Sequence, residues 1–204
     1  MIVIIDYDIG NVNAIKNMLG RLGFDAKITA NLNDVESADR IILPGNGAYD
    51  ACLKNLRSTG LLPLLEKKVL DQKIPLLGIC VGAQMLGKTS EEGIEAGLGW
   101  IDMVVKRFPE SPNLPVPNMG WRDIKSAKDD HYIVKNLEKK SRFYFVHSYY
   151  MKPSKDQDIL ITSSYGFDFA AGVIKNNIIG VQFHPEKSHR FGRALLSNFI
   201  LGTT

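Results

Sequence analysis

Gly78-Ile79-Cys80-Val81-Gly82 follows an apolar run, Pro75–Cys80, and precedes a helical pattern reaching about Leu86. That is the frame of a nucleophile elbow with cysteine in place of serine. A nucleophile on so sharp a strand-to-helix turn sits in a strained backbone conformation. Side chains two residues to either side would collide, so glycine is needed there. The turn lifts the sulfur out of the sheet and sets it at a helix N-terminus, whose partial positive charge favours thiolate. Such a sulfur attacks an acyl or amide carbon. Taken alone, the five residues fit a small buried cysteine beside a Gly-rich turn equally well. Cys52, in AYDACLKNL, has no such frame and reads as packing.

A thiolate used for acyl transfer needs a proton shuttle, usually histidine. Of the four histidines, His184 is the best placed: it closes the strand-like run from Ile179 to Phe183 and precedes Pro185-Glu186. Pro185 biases His184 toward an extended backbone. Residues i and i+2 of an extended segment point to the same side, so Glu186 can accept from the His184 ring and fix its tautomer. By itself, HPE reads as a solvated loop after a strand; beside the Cys80 elbow it reads as the rest of a Cys-His-Glu triad. His147, in FYFVHSYY, reads as a core histidine, and His131 and His189 as surface ones. No His, Cys and acid spacing suits zinc or another metal.

The third feature is Leu43-Pro44-Gly45-Asn46-Gly47-Ala48, between a strand-like run and a helical one. Gly45 and Gly47 let the backbone turn its N–H groups inward, to hold a phosphate or an oxyanion. The loop is too short for a Walker A or dinucleotide fingerprint, and an ordinary turn is the simpler reading of the tripeptide alone.

The elements that must position these residues alternate. Met1–Asp6 is a buried-strand run. Asn11 stands at a helix N-cap ahead of Ile15, Met18, Leu19 and Leu22 at helical spacing, with Gly23 as the stop. Phe24–Thr29, Ile41–Leu43 and Pro75–Cys80 read as further strands, and 48–57 and 61–72 as helices. Strand alternating with helix predicts a parallel sheet covered on both faces. In it both the Gly45–Gly47 loop and the Cys80 elbow lie at strand C-terminal ends, where active sites gather. Residues 99–130 are rich in Pro and Gly, with Pro109, Pro112, Pro115 and Pro117 close together. Strand character returns at Phe143–Val146, Ile159–Ser163, Phe169–Ile174 and Ile178–Phe183. Asn176-Asn177 is a tight hairpin turn between the last two, and 190–201 closes the chain as an amphipathic helix. The expected fold is α/β: an open, mostly parallel sheet flanked by helices, with an antiparallel extension, in one domain over 1–204.

Composition agrees with a globular enzyme. The chain has 204 residues, 45% hydrophobic and 23% charged, with net charge +3. These values exclude a disordered or coiled-coil chain. Two cysteines exclude a disulfide scaffold and a Cys-based zinc cluster. MIVIIDYDIGN lacks the basic start of a signal peptide, and no apolar run approaches the ~18 residues that span a bilayer. A cytoplasmic location and no nucleic-acid or membrane partner are expected.

GICVGAQ together with the late HPE resembles the class I, triad-type glutamine amidotransferases. MIVIIDYDIGN, ILPGNGAYD, GLGWI, NMGW, FYFVHSYY and GVQFHPEKS fall in the order seen in one branch, the glutaminase subunits of imidazole glycerol phosphate synthases. The resemblance runs from Met1 to about Phe199. It implies that Cys80 attacks the carboxamide of L-glutamine, that His184 shuttles the protons and that Glu186 orients His184. It also implies that backbone N–H groups of Gly45–Gly47 (the Asn46 peptide included) and of Val81 stabilise the oxyanion, and that Gln84, Ser148 and Tyr149 hold glutamine. No cofactor is implied. The implied partner is an ammonia-accepting synthase, a (β/α)₈-barrel cyclase, and the lone subunit is expected to be a weak glutaminase.

The chain departs from that branch at named positions. Asp8 stands where Gly is usual, Asn46 for Val, Asn118 for His, and Arg122 for Asn; His189-Arg190 follows EKS. None is in the triad. Three other readings stay open on the sequence: a paralogous glutaminase feeding another synthase, such as one amidating an N-acetyl sugar; a cysteine hydrolase of another amide; and a non-catalytic binding protein on the same fold.

Overall fold

The computed structural model describes residues 1–110, 114–135, 137 and 140–202, so Pro112 lies outside the described residues. In chain order the first half runs β1 (Ile2–Ile5), α1 (Val12–Arg21), β2 (Ala26–Thr29), α2 (Leu32–Glu36), β3 (Arg40–Leu43), α3 (Tyr49–Ser58), α4 (Leu62–Glu66), β4 (Leu76–Ile79) and α5 (Val81–Gln84). The second half runs β5 (Thr89–Ser90), β6 (Met103–Arg107), β7 (Asn118–Ser126), β8 (Arg142–His147), β9 (Tyr149–Pro153), β10 (Ile159–Ser164), β11 (Asp168–Lys175), β12 (Ile178–Val181) and α6 (His189–Leu201).

The apolar runs became strands because they can be covered on both faces. β1 and β4 are buried at every position, and each fully buried aliphatic side chain contributes about 1.5–3 kcal/mol. The main sheet has the order β2-β1-β3-β4-β12-β11-β10-β7-β8. Its first five strands are parallel, including β12 against β4. From β12 onward the pairs are antiparallel, and β5, β6 and β9 branch off this path. This is the expected open sheet with its antiparallel extension.

Several local expectations hold. Asn176 and Asn177 form the two-residue turn between β11 and β12, with Asn176 at φ 54°. The Asn177 amide donates to Val69 O and Ile74 O, at 2.9 and 2.8 Å, which ties the hairpin to the entry of β4. The helix expected over 61–72 is α4 followed by a π-turn, Lys67–Asp71. Asn11 sits at the N-cap of α1 but its side chain makes no capping bond. Asp8, the departure from glycine, adopts the left-handed conformation at φ 62°, which costs a non-glycine residue roughly 1–2 kcal/mol.

Three longer elements escaped the pattern. β6 and β7 fall within the Pro- and Gly-rich stretch, and β9 follows His147 after a single residue. A short helix, α2, is capped by Asn31, whose side chain accepts from Asn33 N at 2.9 Å.

Candidate active site

The three residues of the expected triad meet where β4 and β12 end side by side. Ile79 pairs with Val181, and Cys80 N donates to Val181 O at 2.8 Å. The turn carrying Cys80 is therefore stitched to the strand that leads to His184. Cys80 has φ 55° and ψ −115°, outside the regions non-glycine residues favour. Both flanking glycines are required, for different contacts. A Cβ on Gly78 would lie 2.9 Å from Ala83 Cα, within the elbow itself, and one on Gly82 would lie 2.1 Å from Leu43 O of β3.

His184 and Glu186 are joined by a 2.8 Å hydrogen bond between Nδ1 and Oε1. The His184 backbone is fixed on both sides: its N–H donates to Tyr144 O at 2.9 Å, and its carbonyl accepts from Ser188 Oγ at 2.6 Å. Nε2 is buried without a hydrogen-bond partner. Burial alone would push the imidazole pKa down; the Cys80 sulfur and the Glu186 carboxylate outweigh it and raise the pKa to about 9. This imidazole holds a proton readily and sits against a sulfur.

Cys80 opens on a cavity of about 250 Å³ whose wall includes Asn46, Gly47, Val81, Gln84, Ser148 and Tyr149. Gly45 is not in that wall. It is buried against the elbow, where a Cβ would lie 2.1 Å from Gly82 N. Its glycine is demanded by the close approach of two backbones, which presses the loop against the turn that carries Cys80. Two side chains set the peptide planes of that loop: the Tyr7 hydroxyl donates to Pro44 O, and the Cys52 thiol donates to Asn46 O at 3.6 Å. In a trans peptide the N–H opposes the C=O, so the Gly47 N–H points away from the core that holds Cys52. Burial pushes the Cys52 thiol up to about 11, in keeping with a packing cysteine.

One wall residue escaped the sequence reading. Glu92 also lines the cavity, and its carboxyl is raised by burial, against a hydrogen bond from the Tyr49 backbone. α3 holds the loop that carries it, since Asp50 accepts from Ile94 N at 3.2 Å and Glu95 N at 3.0 Å. Nothing in EEG signals this placement. His147 is a core histidine as expected, 6% exposed, with one edge on the cavity. His189 is exposed and stacks on Trp121, and His131 is half-buried. A larger hollow of about 870 Å³, lined by Lys73, Lys128, His131 and Asn176 among others, lies at the opposite end of β4 and β12. Among the described residues no cluster of His, Cys, Asp and Glu could hold a metal ion, and no helix is long and apolar enough to cross a membrane.

The glutamine amidotransferase class-I family model matches residues 3–203. The imidazole glycerol phosphate synthase subunit HisH 2 of Pseudomonas aeruginosa is 48% identical over 98% of both chains. The subunit HisH of Leptospira interrogans is 44% identical over 98% of both. Among solved structures, a glutamine amidotransferase superposes with a TM-score of 0.74 at 21% identity, covering 97% of this chain and 96% of its own. PurLQS of Thermotoga maritima does so at 0.75 and 18%, covering 98% and 96%. At these identities the two structures speak for the fold.

Proposed function

This chain belongs to the class-I glutamine amidotransferase family, and from that premise we propose that it is the glutaminase subunit of an imidazole glycerol phosphate synthase, acting in histidine biosynthesis. The observation that carries the reading is the Cys80-His184-Glu186 arrangement opening on a small cavity, in a chain similar over its length to HisH subunits.

The residues divide the reaction as follows. Cys80 Sγ attacks the carboxamide carbon of glutamine, and its thiol proton passes to His184. The carbonyl oxygen becomes an oxyanion, stabilised by the N–H of Val81 at the start of α5 and by the loop N–H groups at Asn46 and Gly47, which face the cavity. The C–N bond breaks as His184 returns the proton to the leaving nitrogen, which departs as ammonia. Water, deprotonated by His184, then attacks the glutamyl thioester and releases glutamate and the thiol. Glu186 keeps the imidazole in one tautomer throughout. Gln84, Ser148 and Tyr149 hold the amino-acid end of glutamine, and the Glu92 carboxylate meets its ammonium group.

Free ammonia is mostly protonated and unreactive at neutral pH, so delivery requires a bound acceptor. We assign that role to a (β/α)₈-barrel cyclase in the cytoplasm. Titration of the subunit with the histidine-pathway cyclase tests this. A one-to-one complex with glutaminase stimulated over the lone subunit is the expected result. No complex and no stimulation would overturn the pathway and leave a glutaminase serving another acceptor.

A further inference from the structure

Two of the departures from the branch pattern, Asn118 and Arg122, lie on β7 and take part in one hydrogen-bonded chain that ends in the cavity wall. Arg122 Nε donates to Asn118 Oδ1 at 3.0 Å. The Asn118 amide nitrogen lies 3.0 Å from His147 Nε2, its cross-strand neighbour on β8. His147 Nδ1 lies 2.7 Å from Tyr149 O. The same carbonyl accepts from Gln84 Nε2 at 3.1 Å, and Gln84 Nε2 also reaches Gln182 Oε1 at 3.0 Å. Gln182 in turn points its amide at Cys80 Sγ, 3.9 Å away.

The two ends of the chain fix every proton between them. A carbonyl only accepts, so His147 Nδ1 carries the hydrogen. A guanidinium only donates, so Asn118 Oδ1 faces Arg122 and its NH₂ faces His147. Nε2 of His147 must then be bare, and the ring neutral. Burial favours that state, lowering the pKa to about 4, with the charge of His184 acting in the same direction. Asn118 is fully buried, and Arg122 is held by a second contact, its guanidinium lying 4.8 Å from the centre of the Tyr165 ring. Arg122 is half-buried, so the chain runs from the protein's outer layer to the residues around the nucleophile.

We propose that Arg122 and Asn118 are positioning residues for glutamine hydrolysis: by selecting the Nδ1–H tautomer of His147 they hold the Tyr149 carbonyl, and with it Gln84 and Gln182, where glutamine must bind. The proposal rests on the glutaminase reading above. It makes the departures at 118 and 122 a matched pair, because an acceptor facing Arg122 and a donor facing His147 must come from one side chain.

Asn118→Asp is the sharpest test. It keeps size and the acceptor for Arg122 but replaces the donor facing His147 with an acceptor. The nitrogen NMR signals of the His147 ring report the outcome without reference to catalysis. The unaltered protein should show a neutral ring protonated at Nδ1, and Asn118→Asp a ring protonated at Nε2. In the complex with the cyclase, the KM for glutamine should rise about tenfold in Asn118→Asp, the cost of one buried hydrogen bond, while kcat changes less. Arg122→Ala, at a half-buried position, should raise KM in the same direction, and Arg122→Lys should recover part of the loss. A switched His147 ring with unchanged KM, or an unaltered protein whose ring is protonated at Nε2, would overturn the positioning role while leaving the glutaminase reading intact. An unaltered complex that does not hydrolyse glutamine would overturn both.

Discussion

Glu186 Oε1 lies 2.8 Å from His184 Nδ1 with both side chains almost wholly withdrawn from water, at 1% and 3% exposure. A carboxylate so placed accepts from Nδ1 and leaves Nε2 to serve the sulfur. Glu186→Gln should lower kcat of the stimulated complex by about 10²-fold or more, with little change in KM. Its circular dichroism should match the unaltered protein. Loss of the carboxylate also removes part of what holds the His184 pKa near 9. The alkaline fall of activity, expected near that pH, should therefore move to lower pH in Glu186→Gln.

Two buried histidines make stability depend on pH in opposite directions. His184 titrates at about 9 when folded against a reference of 6.5, so its contribution is full below pH 6.5 and is lost as pH rises toward 9. His147 titrates at about 4; the unfolded chain takes up its proton first as pH falls, so that contribution is full above pH 6.5 and is lost on the way down to 4. Displacements of this size are worth roughly 3 kcal/mol each at full development. Urea midpoints measured from pH 4 to 9 should show a maximum between the two limbs, and His147→Gln should flatten only the acidic one.

The two cysteines should differ in reactivity. Cys80 lines the cavity, whereas Cys52 is fully buried with its thiol held near 11. Brief treatment with iodoacetamide at neutral pH should add one adduct by intact mass, mapped to Cys80. Cys80→Ser should remain unlabelled.

Three glycines around the elbow should separate steric need from backbone need. Gly82→Ala and Gly45→Ala each place a methyl 2.1 Å from a backbone atom, and should lower stability by roughly 3 kcal/mol or more and abolish activity. Gly47→Ala has open space but φ +94°, a strain of about 1–3 kcal/mol. It should fold with a reduced melting temperature, as calorimetry would show.

Asp50 does not itself line the cavity, yet it anchors the Glu92 loop through Ile94 N and Glu95 N. Asp50→Ala should raise KM for glutamine several-fold, by about the worth of one or two hydrogen bonds, with kcat little changed. Steady-state kinetics of the complex would reveal a kcat effect instead if the loop served the chemical step.

The parallel half of the sheet was legible because its strands are buried on both faces and read as unbroken apolar runs such as LLGI and IVII. The elbow was legible because its two glycines answer to contacts that any such turn makes. β7 was not. In NMGWRDIKS only Asn118 and Ile124 are buried, so neither a continuous nor an alternating pattern appears, and nearby prolines argue for a loop. Glu92 was hidden for another reason: its place depends on Asp50, distant in sequence, drawing the loop onto α3. The Gly45–Gly47 loop was seen, but the division of labour within it was not. Gly45 answers to the elbow and only Asn46 and Gly47 face the cavity, a distinction set by how closely β3 and β4 approach.

β12 lies between β4 and β11 and joins the parallel half of the sheet to the antiparallel half, although β4 and β12 are separated by nearly half of the chain. Until β12 is laid down, the strand that leads to Cys80 is an open edge and His184 has no place beside it. A growing polypeptide emerging from the ribosome therefore cannot bring Cys80, His184 and Glu186 together until β12 and the turn after it have been made, so any glutamine-consuming surface is completed late in folding. Wasteful hydrolysis by unfinished chains is prevented by topology, before any partner is met.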